Sequence, residues 1–309
     1  MIEIINLTKK FRNKKGEVVA NENISLSIPK GKVYGILGQN GSGKTTLINQ
    51  IIGLYKIEDG EIFISGNSVK EDPKAARTLC SVQTQGQLAF GELTPKKAVR
   101  LMGELRGGKP EEIDEQIDYL FSALDILEWV NTPGNLLSGG IKRLTAFCMA
   151  VICAKDFIIL DEPTNDVDPV RRKRLWQEIK RMTAKGCGVI VVTHNILELE
   201  SVADIVTIID DGKLISTGTI TDIKSRLSNH LKLNLHYDDE GTAEKLRIPE
   251  WGISSSHGDG MMIITLAPEK IDSALEWGRT LVTEKSIVSY SISDTTLEDV
   301  YIDLIKKGA

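Results

Sequence analysis

The chain has 309 residues, and at roughly 150 residues per domain this length predicts about two domains. Hydrophobic residues make up 41% of the chain, charged residues 26% and aromatic residues 5%, a composition that excludes a disordered chain, a collagen-like repeat and a coiled coil. The formal net charge of −5, from 38 basic and 43 acidic residues, gives no electrostatic basis for binding a polyanion, so no nucleic-acid partner is expected.

The N-terminus and the cysteines bear on the compartment. Residues 1–6 alternate like a strand and do not match a secretory signal. The longest apolar stretches have the length of strands, whereas a membrane-spanning helix needs about 20 apolar residues, so we expect this chain not to cross a bilayer alone. The four cysteines lack the spacing of a metal site and are expected to be reduced, mostly buried thiols of a cytosolic protein: Cys80, Cys148, Cys153 and Cys187.

Short apolar strands alternate with helical patterns up to about residue 220. Strands are predicted at 33–37, 157–160 and 189–192. The last two lack the polar alternation of a half-exposed strand, which is typical of a sheet covered on both faces. A helix is predicted at 46–54, and helical spacing between 110 and 129 predicts a helical insertion over about 94–145. These patterns predict an α/β domain over residues 1–222.

The pattern changes after residue 222, where a small α+β domain is predicted over residues 223–309. Strands are predicted at 231–237, 262–266 and 288–292, with a helix at 269–282 before the third strand. The pattern Thr295-x-x-Glu298 matches a capping box and predicts a last helix from Leu297. We find no catalytic constellation in this part of the sequence.

Residues 38–45 (GQNGSGKT) match the P-loop pattern GxxxxGK[ST] between a predicted strand and a predicted helix, the two contexts that the pattern requires. The glycines let backbone N–H groups close around phosphate oxygens, and the following helix N-terminus adds partial positive charge. Lys44 is predicted to reach the β- and γ-phosphates, and Thr45 to offer its hydroxyl to Mg²⁺. The alternative interpretation is a glycine-rich turn with a chance lysine.

Two carboxylates, Asp161 and Glu162, follow the apolar strand at 157–160. Open α/β sheets bind their ligands at the C-terminal ends of the strands, which is where this pair is expected to lie. Asp161 suits coordination of Mg²⁺, and Glu162 suits a general base that orients the attacking water. Taken alone, the pair also fits a strand end that meets solvent.

A further motif points to a family. Residues 137–140 (LSGG) match the signature of the ATP-binding cassette (ABC) ATPases, and the chain resembles that family over roughly residues 1–222. Residues 161–165 (DEPTN) are similar to the stretch that ends its catalytic strand. Asp168 is similar to the aspartate of its D-loop, and His194 to its switch histidine.

Other positions match the family less specifically. Gln85 is the best match to the Q-loop glutamine, with Gln83 and Gln87 as neighbouring alternatives. Phe11 stands where the family places an adenine-stacking aromatic residue, although a lone phenylalanine also fits a core. Ile141 replaces a common glutamine after LSGG, and residues 165–167 also depart from the usual pattern. These two departures are compatible with a slow ATPase.

The resemblance implies a P-loop NTPase fold: an ABC cassette with a mixed sheet core, an antiparallel β part and an inserted helical subdomain. It also implies ATP hydrolysis with ATP and Mg²⁺ bound. The implied catalytic residues are Glu162, His194, Gln85 and Lys44, and the implied Mg²⁺ residues are Thr45, Gln85 and Asp161. The implied nucleotide-binding residues are Phe11, Gly38, Asn40, Gly41, Ser42, Gly43, Lys44, Thr45, Thr46, Ser138, Gly139, Gly140 and Asp168.

The family also implies partners. Each nucleotide would lie between the P-loop of one subunit and the signature of a second, with a homodimer favoured because the chain carries both halves. Separately encoded permease subunits would hold the chain at the cytoplasmic face of the membrane. Residues 296–301 and the apolar residue at 141 resemble ATPase subunits of drug, antibiotic or lipid exporters. An importer ATPase and a regulatory nucleotide-binding module without transport are the alternatives.

Overall fold

A computed structural model of the protein describes residues 1–13, 16–86, 90–225, 230–238, 246–258 and 260–308. The chain divides into two units, Met1–Ile220 and Thr221–Ala309. The first unit has two sheets and the second has one, and each unit has its own buried apolar cluster. Within the described ranges, no helix has both the length and the apolar character needed to cross a membrane.

The first unit contains two sheets. Its strands are β1 (Ile2–Asn13), β2 (Gly16–Ile28), β3 (Val33–Leu37), β4 (Asp59–Ile64), β5 (Asn67–Ser68), β6 (Cys80–Gln83), β7 (Phe157–Asp161), β8 (Gly188–Thr193), β9 (Ile205–Asp210) and β10 (Lys213–Gly218). One sheet has the order β2-β1-β4-β5 and is antiparallel, and the other has the order β10-β9-β3-β8-β7-β6. The second sheet is parallel except for the β10–β9 pair. The predicted α/β class with an antiparallel β part is confirmed.

The parallel strands bring four chain segments to one edge. β3, β7 and β8 are buried along their whole length, as their unbroken apolar runs predict. Leu37 pairs with Thr193, Asp161 with Val192, and Leu160 with Gln83. Because parallel strands end on the same side, the residues that follow β3, β6, β7 and β8 meet at this edge of the sheet.

The helices of the first unit are α1 (Lys44–Ile51), α2 (Pro73–Leu79), α3 (Pro95–Leu105), α4 (Pro110–Ala123), α5 (Gly139–Val151), α6 (Pro169–Ala184) and α7 (Ile196–Val202), followed by α8 (Ile220–Ser225) at the junction of the units. Helices α3, α4 and α5 pack on one another and form the helical insertion. Helix α1 begins two residues before its predicted start, at Lys44. Helix α4 ends at Ala123, earlier than predicted, and Asp125 then takes a left-handed φ of 59°.

The second unit is a four-stranded antiparallel sheet with helices. Its elements are β11 (Leu231–His236), β12 (Gly252–Gly258), β13 (Met261–Leu266), α9 (Ile271–Thr283), β14 (Ser289–Asp294) and α10 (Leu297–Gly308), and its strand order is β12-β13-β11-β14. Strand β12 was not predicted. It contains three serines and a single aliphatic residue, so it lacks an apolar alternation, and it lies at the sheet edge, where it pairs with β13.

The capping box of the last helix lies one residue later than predicted. The Asp299 amide donates to Thr296 Oγ1 at 3.3 Å, and the Thr296 amide donates to Asp299 Oδ2 at 2.8 Å. The Thr295–Glu298 assignment was therefore wrong, while the predicted helix start at Leu297 is correct. Thr295 instead donates from its hydroxyl to the His230 carbonyl. The sequence offers two overlapping T-x-x-acid patterns, and the chain uses the second.

Candidate functional site

A cleft of about 380 Å³ lies at the C-terminal edge of the parallel sheet, a size within the usual range of small-molecule sites. Its lining residues come from β2, the P-loop, the segment after β6, the end of β7 and the β9–β10 turn: Val18, Val19, Ala20, Asn40, Gly41, Gly43, Lys44, Thr45, Thr46, Gln85, Asp161, Glu162, Asp211 and Gly212. The structure therefore brings the P-loop, both carboxylates and Gln85 into one cleft.

The P-loop is held tightly between two strands. Gly43 has a φ of 98°, and a Cβ atom there would lie 2.2 Å from the Ala20 carbonyl oxygen. A Cβ on Gly38 would lie 2.2 Å from the Ile209 carbonyl oxygen. Asn21 donates from its side-chain amide to the Gly43 carbonyl at 3.2 Å. Only glycine allows backbone to approach backbone this closely, so these residues fix the loop at the cleft.

Lys44 is turned into the P-loop. Its Nζ donates to the carbonyls of Gly38 at 2.8 Å and Gln39 at 2.7 Å, and lies 3.4 Å from Ser42 Oγ. Burial lowers the pKa of Lys44, and the charges of Glu162 and Asp161 oppose this effect. Gly38 and Ser42 do not line the cleft. They act on the cleft indirectly, because they hold the ammonium group of Lys44.

Asp161 is a buried carboxylate at the end of β7. Burial raises the pKa of Asp161 to about 6, with a further upward contribution from Glu162, while Lys44 and Arg143 act in the opposite direction. A carboxyl group whose pKa is raised in the folded state is less favourable when ionised there than in the unfolded chain. Its contribution to stability is therefore complete below pH 3.8 and is lost as the pH rises through about 6.

We expect Asp161→Asn to stabilise the metal-free protein at pH 8, by roughly 1–2 kcal/mol, because it removes a poorly solvated charge. The difference should shrink towards pH 4, where the wild-type carboxyl is protonated. Thermal unfolding of both proteins in EDTA at pH 8 and at pH 4 measures this difference in stability. Asp168→Asn is the control of opposite sign, since hydrogen bonds, first from the Arg171 amide, lower the pKa of Asp168. Loss of stability in Asp161→Asn at pH 8 would contradict the conclusion that burial raises the pKa of Asp161.

Glu162 is fixed by the last residue of β8 and the residue that follows it. Its Oε2 accepts from the Thr193 hydroxyl at 2.9 Å, and its Oε1 accepts from the His194 amide at 3.0 Å and lies 2.6 Å from His194 Nδ1. The Glu162 side chain is 4% exposed, whereas that of His194 is 61% exposed. Glu162 has a φ of 50°, a strained conformation typical of functional sites. His194 does not line the cleft and reaches it through this carboxylate.

The three candidate glutamines have different surroundings. Gln85 lines the cleft, while Gln83 is 2% exposed and donates from Nε2 to the Arg143 carbonyl at 3.3 Å. Gln87 lies outside the described residues. The guanidinium of Arg143 in turn donates to the carbonyls of Thr84 and Gln85. Of the two described candidates, Gln85 is the one placed to touch a ligand.

The signature residues lie at the start of α5. Ser138 is the N-cap of this helix and accepts from the Ile141 amide at 3.4 Å. A Cβ on Gly140 would lie 2.5 Å from the Asp166 carbonyl oxygen, so the signature packs against the segment before Asp168. Asp168 is the N-cap of α6. Ser138, Gly139, Gly140 and Asp168 do not line the P-loop cleft of their own chain.

Phe11 lies at the edge of the site. It pairs across β1 and β2 with Val18, which lines the cleft, but Phe11 itself does not. Its ring meets Tyr55 edge-on at a centroid distance of 5.6 Å and is 37% exposed. The residue is therefore an exposed aromatic beside the cleft and not part of the core.

Several residues of the site were not predicted. Arg143 and Asn21 hold the Q-loop backbone and the P-loop, and Asp211 and Gly212 line the cleft. The Asp-Gly pair between two apolar strands is a hairpin signal that predicts the turn, but not its position. Arg143 follows Lys142 near the start of α5 and is buried. A buried charge requires partners, and the sequence does not identify them.

Comparison with known proteins adds independent findings. A model of the ABC transporter family matches residues 21–165. Over 291 residues the chain is 30% identical to the daunorubicin/doxorubicin resistance ATP-binding protein of Streptomyces peucetius, an alignment covering 92% of this chain and 87% of that protein. It is 28% identical to ATP-binding cassette sub-family A member 2 of Rattus norvegicus over 316 residues, which cover 99% of this chain and 13% of that protein. The chain thus spans about an eighth of the latter relative's length.

Solved structures share the fold. An ATP-binding subunit of an ABC transporter superimposes with a TM-score of 0.68 at 24% identity, covering 74% of this chain and 93% of that one. A dimeric ATP-binding cassette in a post-hydrolysis state with ADP and Pi superimposes with a TM-score of 0.65 at 24% identity, covering 71% of this chain and 98% of that one. These likenesses show the fold.

Proposed function

The chain belongs to the ABC transporter family and carries its ATPase cassette, as the motifs predicted, and we propose that it binds ATP in the P-loop cleft and hydrolyses it to drive transport. The observation that carries the proposal is the convergence of Lys44, Thr45, Gln85, Asp161 and Glu162 on one cleft. A phosphate-binding loop, an oxygen-rich cation site and a buried carboxylate base are the parts that phosphoryl transfer to water requires.

The loop geometry fits a nucleotide. Backbone amides of the P-loop and the start of α1 would bind the phosphates, and Lys44 would exchange its loop carbonyls for phosphate oxygens. Thr46 also lines the cleft, next to Thr45. Phe11, exposed beside Val18, would stack on the adenine.

The donor set beside the P-loop fits Mg²⁺. A hydroxyl from Thr45, a side-chain carbonyl from Gln85 and a carboxylate from Asp161 are oxygen ligands, the kind that this cation prefers. When bound, Mg²⁺ would neutralise charge on the phosphates. The raised pKa of Asp161 fits this assignment, because a buried carboxylate is stabilised by a cation beside it.

Glu162 is the proposed general base. Thr193 and His194 direct its carboxylate, so that it can orient a water molecule and accept its proton. His194, with its ring largely exposed, would act through Glu162 and on the γ-phosphate. Lys44 would stabilise the charge that develops on the phosphoryl oxygens.

We further propose a head-to-tail dimer. Ser138, Gly139 and Gly140 form a helix N-terminus outside the cleft of their own chain, and such an end suits a phosphate carried by a second subunit. Asp168 would border the same interface. ATP bound between the subunits would favour the closed state, and hydrolysis would release it.

The transport assignment rests on the similarity of this chain to a drug-resistance ATP-binding protein. Similarity over 87% of a drug-resistance ATP-binding protein supports an exporter subunit that works with separately encoded permeases at the cytoplasmic face of the membrane. Purification with any permease from detergent extracts, and transport into inside-out vesicles, test this. If transport is observed in the import direction, the chain would be assigned as an importer ATPase instead of an exporter ATPase. ATP binding without phosphate release would favour a regulatory module instead.

Mixing two inactive variants tests the composite sites. Lys44→Ala removes the P-loop lysine and Ser138→Arg blocks the signature, so each variant alone should be inactive. In a mixed dimer, the intact P-loop of the Ser138→Arg subunit meets the intact signature of the Lys44→Ala subunit. We expect the mixture to release phosphate much faster than either variant alone. A mixture as inactive as its components would contradict the head-to-tail arrangement.

A further inference from the structure

Arg143 is a buried cation that the proposed mechanism does not use. It lies in α5, between Lys142 and Leu144, and is 6% exposed. Its guanidinium donates to the carbonyl of Thr84 at 3.3 Å through Nη1 and to that of Gln85 at 3.0 Å through Nη2. Both acceptors belong to the segment that follows β6 and enters the cleft.

A second contact fastens the same two segments. Gln83, the last residue of β6, donates from Nε2 to the Arg143 carbonyl at 3.3 Å. Residues 84–86 are exposed and belong to no helix or strand, so their backbone has no ladder to fix it. The two bonds from Arg143 hold this stretch at the point where Gln85 reaches the cleft.

The arrangement has an energetic cost. Arg143 Nε is buried and has no hydrogen-bond partner among the described residues. Burying a guanidinium with an unpaired N–H is unfavourable, and an apolar residue of similar length would avoid this cost. A packing role alone therefore does not explain why the residue is an arginine. A role in holding the carbonyls of Thr84 and Gln85 does, because the guanidinium offers one N–H donor group to each.

We propose that Arg143 is a positioning residue: it fixes the backbone of Thr84 and Gln85 so that the Gln85 side chain is held in the cleft, and it thereby links this side chain to the helix that begins at the signature. The inference rests on the proposed ATPase function. Ser138 caps the first turn of α5 and Arg143 lies in its second turn. Displacement of the helix would therefore move Gln85.

A double-mutant cycle with Gln85 tests the proposal. Arg143→Gln in the wild-type background should lower kcat roughly 10–100-fold, the effect of losing charge-assisted hydrogen bonds, and leave ATP affinity in EDTA within about twofold. In the Gln85→Ala background the same substitution should change kcat less than about twofold, because the side chain that it positions is already absent. Arg143→Lys, which keeps one donor group, should restore part of the rate.

Arg106 provides the matched control. Its guanidinium also donates to two backbone carbonyls, those of Met149 and Ile152, but at the opposite end of α5. Arg106→Gln should lower the midpoint of thermal unfolding while leaving kcat unchanged in both backgrounds. This separates loss of a buried arginine from loss of Gln85 positioning.

The outcomes are distinct. Equal fold-losses from Arg143→Gln with and without Gln85 would overturn the proposal, as would an unchanged kcat in Arg143→Gln. If Arg143→Gln does not fold, the same cycle is run with Arg143→Lys, where non-additivity supports the proposal and additivity overturns it. If the wild-type protein binds ATP without hydrolysing it, the proposed ATPase function is refuted. The double-mutant cycle compares variants of an active enzyme, so failure of the Arg143 proposal can be distinguished from failure of the proposed function.

Discussion

Glu162→Gln is expected to lower the rate of ATP hydrolysis by about 10³-fold, within the range for loss of a general base, while ATP binding persists. The glutamine side chain has nearly the same shape, and its carbonyl oxygen can still accept from the His194 amide or the Thr193 hydroxyl. It cannot accept a proton from water. The substitution therefore removes the chemistry and keeps the geometry.

The same variant should accumulate as an ATP-bound dimer, because closure no longer ends in hydrolysis. Light scattering with Mg²⁺ and ATP should show twice the mass of the 34.1 kDa chain, and removal of ATP should restore the monomer. Glu178→Gln is the matched control, since Glu178 is also buried but bonds Tyr119 and Arg181 outside the cleft. Normal turnover in Glu162→Gln would exclude Glu162 as the base.

The elements that the sequence predicted best depend on local information. Residues 38–45 form a P-loop because their glycines, lysine and threonine are contiguous and stand between a strand and a helix. The buried strands at 157–160 and 189–192 were predictable because a doubly covered sheet leaves no polar alternation. The edge at which these segments meet follows from the parallel topology, so Asp161 and Glu162 could be assigned to it.

What the sequence did not predict depends on long-range contacts. Asn21 and Gly43 are bonded across 22 positions, and Arg143 and Gln85 across 58. No local sequence pattern predicts such a pair, because neither residue is unusual for the strand, loop or helix in which it lies. Strand β12 was missed for another reason: serine-rich edge strands depend on a neighbour for their pairing and carry little apolar signal of their own.

The charges in the cleft predict that Lys44 would carry a large share of phosphate binding. Asp161 and Glu162 are two carboxylates opposite a single lysine, and both raise the pKa of Lys44 against the lowering effect of burial. A phosphate chain entering between them would be repelled by both carboxylates. Among the lining residues that the structure describes, Lys44 is the one that offers a positive charge, since the others are neutral or acidic.

Lys44→Ala is accordingly expected to lower kcat/KM by about 10²–10³-fold, the effect of removing a preorganised donor from the reacting oxygens. Unlike Glu162→Gln, it should also weaken ATP binding, because Lys44 would contact the phosphates in the ground state as well. The free energy of unfolding should not fall comparably, since burial already disfavours the charged ammonium. Steady-state kinetics, nucleotide titration and thermal unfolding of one preparation measure the three effects. Retained kcat/KM in a folded Lys44→Ala protein would contradict the assignment of the P-loop as the ATP site.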